Sequence, residues 1–278
     1  MNVYAIGASR NIGYHASLRL LRKGATVTFL LRSQNAFKDV PEIQEYITSG
    51  KAILVQGDAL KEEDVARGWA ASQAASPTSQ VDLALFTLGG TPTIGFKGAI
   101  INPPDLCTHC LLNVIRTTPE SLRSTVKLLA ITSTGATRGS HDNLPLPWKP
   151  FYSWFLAGPH KDKLGMERVL YWCMGQRWEE PEPEQSILGS GWQAKDNTPG
   201  EGALKHVVVV RPALLTDGEC VADNNKKPHK APYKFGTDEE LRKHNGYTVS
   251  RKDVAHFLVE EAIPNWERYE GKAINVCY

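Results

Sequence analysis

No run of residues in this 278-residue chain stays apolar for the roughly 20 positions that a bilayer-crossing helix needs, so no membrane span is expected. The apolar start, residues 1–6, is too short for a signal peptide and runs straight into a glycine turn. Cysteine is scarce. Five residues, an odd number, argue against a disulfide framework and for a reducing compartment, with a cytoplasmic location as the expectation. Charge of one sign is lacking as well: 32 Lys and Arg against 30 Asp and Glu leave a net +2, and no long basic run occurs. Nucleic acid and anionic membrane therefore gain no electrostatic support as main partners. Cys107-Thr108-His109-Cys110 looks like half a zinc site, but Cys173, Cys220 and Cys277 stand single and far apart. A structural zinc wants four ligands, so no metal is expected. Internal repeats and low-complexity tracts are absent too.

What is present is an alternation. Strand-like apolar runs cover 2–6, 25–31, 52–55, 81–88, 127–132, 206–211 and 273–277. Helical patterns cover 12–23, 40–48, 62–75, 105–116, 161–175 and 252–262. The βαβ rhythm predicts a Rossmann-type, doubly wound parallel sheet with helices on both faces, built as a single domain over 1–278. Two segments interrupt it. Residues 179–204 are polar and rich in proline and glycine, and read as a surface insertion. Residues 213–246, rich in Lys, Pro and Asn and with weak periodicity, follow the sixth strand and read as the substrate-pocket segment.

Ligands of such sheets sit beyond the carboxyl ends of the strands, where strand order reverses. Gly7-Ala8-Ser9-Arg10-Asn11-Ile12-Gly13 lies between the first strand and the first helix, the context that gives a glycine pattern meaning. Gly7 permits the tight turn and Gly13 lets helix and strand pack, while the helix N-terminus offers N–H groups to a pyrophosphate. The second strand ends in Leu31-Arg32-Ser33, where an NAD-selective site would place an acid. Arginine there pairs instead with a 2′-phosphate, and Arg10 would lie near the same group, so NADPH is the expected cofactor. Gly57-Asp58-Ala59 at the third strand offers Asp58 to the adenine amino group, and Leu88-Gly89-Gly90 at the fourth lets backbone approach the adenosine ribose.

In the order and spacing of these pieces the chain resembles the short-chain dehydrogenase/reductase superfamily, in its atypical, NmrA-like branch. The resemblance rests also on Ile131-Thr132-Ser133-Thr134-Gly135, Lys163-x-x-x-Glu167-x-x-Leu170, Val210-Arg211-Pro212-Ala213-Leu214-Leu215 and Ser250-Arg251-Lys252-Asp253-Val254-Ala255. It implies that Lys163 holds the nicotinamide ribose, that Ser133 or Thr134 orients a substrate carbonyl, and that Pro212 lines the nicotinamide end. One departure matters. The tyrosine that gives its proton to the carbonyl lies four residues before the lysine in the catalytic branch, and here that position is Pro159. His160 and Tyr152 are the candidates to replace it.

The expectation is thus an NADPH-dependent reductase of a small hydrophobic or aromatic carbonyl or enone. Trp148, Phe151, Tyr152, Trp154 and Phe155 are available to wall an apolar pocket. Two other readings stay open: an NADP(H)-binding sensor that does no chemistry, and a non-redox isomerase or epimerase. The partner is a small molecule, and monomer and homodimer are both compatible with the sequence.

Overall fold

The computed structural model describes residues 1–95, 98–138, 154–224, 231–241 and 246–278. Its centre is an eight-stranded sheet of β1 (Asn2–Ile6), β2 (Thr26–Leu31), β3 (Ala52–Gln56), β4 (Leu83–Phe86), β7 (Lys127–Ile131), β8 (Val207–Pro212), β10 (Lys234–Gly236) and β12 (Ala273–Cys277). The spatial order is 10-12-8-7-4-1-2-3, all parallel except the edge strand β10, which runs antiparallel to β12. The strands of the middle are apolar on both faces because both are covered. In β1, Val3 and Ala5 join one core while Tyr4 and Ile6 join the other.

Helices α1 (Asn11–Arg22), α2 (Pro41–Thr48) and α6 (Arg251–His256) pack on the first face. Helices α3 (Glu62–Ala74), α4 (Leu106–Arg116) and α5 (Ala157–Met174) pack on the second. A short α7 (Trp266–Tyr269) precedes the last strand. Small residues let the layers close. A Cβ on Gly68 of α3 would sit 2.2 Å from the Tyr4 hydroxyl, and one on Gly165 of α5 would sit 2.5 Å from Thr108 Oγ1 of α4.

Several boundaries differ from the sequence reading, each for a local reason. Helix α5 starts at Ala157 rather than 161, with Pro159 in its first turn, where the missing N–H costs no hydrogen bond. The expected helix over 252–262 is α6 followed by a π-helical stretch, Phe257–Ala262. Five three-residue strands are too short to show periodicity: β5 (Thr93–Gly95) pairs with β6 (Gly98–Ile100), β9 (Leu214–Thr216) pairs with β11 (Thr248–Ser250), and β10 extends the main sheet. Segment 179–204 is anchored rather than merely superficial. Ile187, Leu188, Trp192 and Leu204 are buried, and Trp192 meets Trp172 of α5 edge-on at 5.9 Å.

Candidate active site

The chain passes from β1 to β2 and β3 on one side, then returns to β4 on the other, so the carboxyl ends of β1 and β4 open a crevice. Gly7, at φ +77°, is required there: a Cβ would lie 2.4 Å from Leu88 Cα. At Gly13 it would lie 2.2 Å from Thr87 Oγ1 and 2.7 Å from Ala8 Cα. Residues Ser9, Arg10 and Asn11 carry the turn into α1, with Asn11 in the left-handed region at φ 58°. The N-terminus of α1 has no side-chain cap and no acid in its first turn. The N–H groups of Asn11, Ile12 and Gly13 are therefore left for an anionic ligand. Arg10 itself reaches across the crevice, where its guanidinium donates to Thr91 Oγ1 at 2.6 Å.

Beyond β2 and β3 lies a pocket of about 510 Å³ lined by Arg32, Gln56, Gly57, Asp58, Asp64 and Arg67. Arg32 is exposed. Arg67, which the sequence reading missed, donates to the Gln56 carbonyl at 2.8 Å and to Asp64 Oδ1 at 2.6 Å. Its signal was its place on the helix that follows β3, three residues after Asp64. The Asp58 N–H and the Arg67 guanidinium hold the Asp64 carboxyl below its usual range. Arg10 does not line this pocket, where Arg67 stands beside Arg32. Asp58 does line it, while its Oδ1 accepts the Leu60 N–H at 3.0 Å as a turn cap. Ser33 caps the turn Gln34–Phe37, accepting the Asn35 N–H, and Ala59 packs in the core with its carbonyl on Asn113. Neither lines the pocket.

The loop after β4 divides its roles. At Gly89 a side chain would meet nothing within 4 Å, which leaves the backbone open to a ligand; at Gly90 it would strike Ile101 at 2.3 Å, a packing requirement of the protein. Leu88 offers its carbonyl to Lys163 Nζ at 3.2 Å, and Lys163 also reaches the Ile131 carbonyl at 3.1 Å and Met166 Sδ at 3.3 Å. The lysine thus bridges the carboxyl ends of β4 and β7, deeper than the exposed helix position that a Lys163–Glu167 surface pair would give. Asp162, beside it, accepts the N–H groups of Cys107 and Thr108 at 2.8 Å each and closes the start of α4. Cys107 and Cys110 face the core while His109 faces outward toward Asp105.

The two hydroxyls that the sequence left open have different partners. Ser133 Oγ lies 3.4 Å from His160 Nε2 and 3.2 Å from the Thr134 carbonyl. Thr134 is buried, with its hydroxyl 2.9 Å from the Arg211 carbonyl and 3.1 Å from Asn275 Oδ1. Its hydroxyl is engaged within the strand packing. Pro212 is buried at the end of β8, its carbonyl accepting the Thr134 N–H at 3.0 Å. Pro159 occupies the tyrosine's position without a proton to give, and one residue on, His160 faces Ser133. Trp154 and Phe155 precede α5, whereas Trp148, Phe151 and Tyr152 lie outside the described residues.

No protein-family profile matches the chain. It is similar to Reductase pytE of Aspergillus terreus, 26% identical over 269 residues that cover 93% of this chain and 90% of that protein. It is similar in structure to an NADPH-bound short chain oxidoreductase of Pseudomonas aeruginosa PAO1 with an atypical catalytic center: TM-score 0.61, 12% identity, 99% of this chain and 94% of that one covered. An alcohol dehydrogenase of the archaeon Thermococcus sibiricus, complexed with 5-hydroxy-NADP, superposes at TM-score 0.58 and 16% identity over 98% and 94%.

Proposed function

We propose that this chain, which has the fold of the short-chain dehydrogenase/reductases, is an NADPH-dependent reductase of the atypical, NmrA-like kind acting on a small hydrophobic or aromatic carbonyl or enone. The observation that carries the reading is the contact of Ser133 Oγ with His160 Nε2, 3.4 Å apart, beside Lys163 at the carboxyl end of β7. A relative named a reductase and NADP(H)-bound structural neighbours support it.

The residues present fit the cofactor. The uncapped start of α1 suits the pyrophosphate, Arg32 and Arg67 the 2′-phosphate, Asp58 the adenine and Lys163 the nicotinamide ribose. Bound there, NADPH supplies a hydride to the substrate carbon. Negative charge then develops on the substrate oxygen and must be stabilised and protonated. Ser133 donates its hydroxyl proton to that oxygen. His160, as imidazolium, returns a proton from Nε2 to Ser133 Oγ, so the substrate oxygen gains one proton and the imidazole loses one. Solvent recharges the histidine. The aromatic residues Trp148, Phe151, Tyr152, Trp154 and Phe155, and segment 213–246, are the sequence's candidates for the substrate site; of these aromatics Trp154 and Phe155 lie among the described residues. The partner is a small molecule in the cytoplasm.

The test is a screen of NADPH oxidation over aldehydes, quinones and enones, followed by a pH–rate profile with one accepted substrate. If His160 supplies the proton, the rate should fall as pH rises and the imidazolium is lost. His160→Phe should remove that limb and cost about 10²–10⁴ in kcat. An unchanged limb in His160→Phe would remove the histidine from the proton path and leave Tyr152 or water as donor. Tight NADPH binding with no turnover of any substrate would refute the reductase and favour the sensor.

A further inference from the structure

We infer that the buried pair Glu167–Arg211, with Asp238, positions Ser133 against His160; the inference rests on the reductase reading above. Glu167 is wholly buried and Arg211 is 3% exposed. Arg211 Nε donates to Glu167 Oε1 at 2.9 Å and Nη2 to Oε2 at 2.5 Å, a two-pronged pair, while Nη1 donates to Asp238 Oδ2 at 2.7 Å. Burial works against the guanidinium charge, but Glu167 and Asp238 outweigh it and hold the group charged above its ordinary value. Buried pairs of this kind are commonly no more stabilising than apolar side chains of the same volume. Stability alone therefore gives no reason for this one.

What the pair touches gives the reason. Thr132 Oγ1 donates to Glu167 Oε1 at 2.7 Å, and Thr134 Oγ1 lies 2.9 Å from the Arg211 carbonyl. Thr132 and Thr134 are the two neighbours of Ser133: the Thr132 hydroxyl is held by the Glu167 carboxylate and the Thr134 hydroxyl by the main-chain carbonyl of Arg211, so both flanks of the serine are tied to the residues of the pair. Glu167 sits on α5, one turn after Lys163 and about two turns after His160. One carboxylate thereby ties the strand end that carries Ser133 to the helix that carries His160 and Lys163. The third arm reaches further. Asp238 Oδ1 accepts Asn275 Nδ2 at 2.8 Å, and Asp238 lies just after β10 in the segment proposed for the substrate. The Ser133–His160 contact, at 3.4 Å, is near the outer limit of a hydrogen bond, so a displacement of about 0.5 Å breaks it. Nondirectional apolar packing would fill the same space without fixing that distance.

The experiment replaces the pair by packing: the double variant Glu167→Met/Arg211→Met is compared with wild type and with Glu167→Gln. Four quantities are measured: Tm, NADPH Kd by calorimetry, kcat and KM, and the His160 imidazole signals in ¹⁵N-histidine NMR, assigned with His160→Phe. The expected result is a Tm within a few degrees of wild type and a Kd within about threefold. The same variant should lose at least about tenfold in kcat with little change in KM, and its His160 signal and titration should move. Glu167→Gln keeps the shape and the Thr132 partner, and should show the same changes to a smaller degree. It carries the test if the double variant does not fold. A kcat within threefold of wild type, or an unmoved His160 signal in either variant whatever its rate, overturns the inference. Should wild type turn over nothing, the reductase reading fails by itself, and the NMR comparison still decides whether the pair positions His160.

Discussion

Replacing Arg32 with alanine should separate the two nicotinamide dinucleotides. The pocket it lines holds two guanidiniums, Arg32 and Arg67, and two carboxylates, Asp58 and Asp64. Asp64 engages Arg67 directly, so Arg32 is the cation whose charge is not already spent on a neighbour in that pocket. NADPH differs from NADH by a phosphate of about −1.5 to −2 charge near pH 7. Two unit charges ~4 Å apart attract by about 1 kcal/mol in a water-like medium and about 4 kcal/mol at an effective dielectric of 20. Arg32 is exposed, so the lower value applies; scaled by the phosphate charge, it gives about 1.5–2 kcal/mol, or roughly 10- to 30-fold in Kd. Arg67→Ala should cost less, about threefold, because Asp64 screens it. Calorimetric titration of wild type and both variants with each cofactor reads the effect, and repeating it at about 0.5 M salt should shrink the Arg32 difference. A wild type that binds NADH as well as NADPH, or an Arg32→Ala that weakens both equally, would refute the reasoning.

Lys163→Ala should lose most turnover and weaken NADPH, and it should also lower Tm by a few degrees, because Nζ holds the carbonyls of Leu88 and Ile131 together; unchanged kinetics in the variant would leave the lysine a structural role alone. Asp253 tests the acid side of stability. Although burial pushes its carboxyl up, the Ser250 and Tyr278 hydroxyls and the N–H groups of Val221 and Ala222 hold it below the usual range. With the folded pKa depressed, its contribution is full above the unfolded value near ~3.9 and is lost as pH falls through the lower folded value. Tm of Asp253→Asn should therefore lie below wild type at pH 7 and converge with it on acidification toward pH 3; a constant gap would sink the linkage.

The frame of the molecule was readable because its strands are apolar on both faces and end in glycines, a pattern that few other arrangements satisfy. Gly7 and Gly13 could be assigned from sequence because a strand-to-helix turn demands glycine there whatever packs on it, although the atoms that crowd them, on Leu88 and Thr87, are distant in the chain. The residues that escaped are those whose meaning is set by distant partners. Arg67 lies 35 positions from Arg32 and meets it only because β2 and β3 are neighbours. Glu167 stood in the sequence only as part of a helical pattern with Lys163, and its partner Arg211 lies 44 positions on, on β8, with both side chains buried. Ser133 and Thr134 could not be told apart because a strand's alternation fails where it turns into a loop, and it is the tertiary structure that puts Ser133 beside His160 of α5 and Thr134 on the Arg211 carbonyl.

The departure at Pro159 follows the same logic and ends in a mechanistic constraint. Read as sequence, a proline in place of tyrosine is the loss of an acid. On the helix it is a first-turn residue, and His160 is already within hydrogen-bonded helix, its N–H on the Leu156 carbonyl at 2.9 Å. Successive residues turn by about 100° around the axis, so a side chain four positions before Lys163 lies about 40° to one side of it. One three positions before lies about 60° to the other. His160 is thus on the same face of α5 as the missing tyrosine would be, displaced across Lys163. That displacement is toward Ser133, which it meets at 3.4 Å. A tyrosine at 159 would address a substrate oxygen directly, with the serine as a second donor. In the mechanism proposed above, a histidine at 160 addresses the serine, and the serine addresses the oxygen. Ser133→Ala should then cost as much as His160→Phe in kcat, and the double variant little more than either alone, because the two act as one relay.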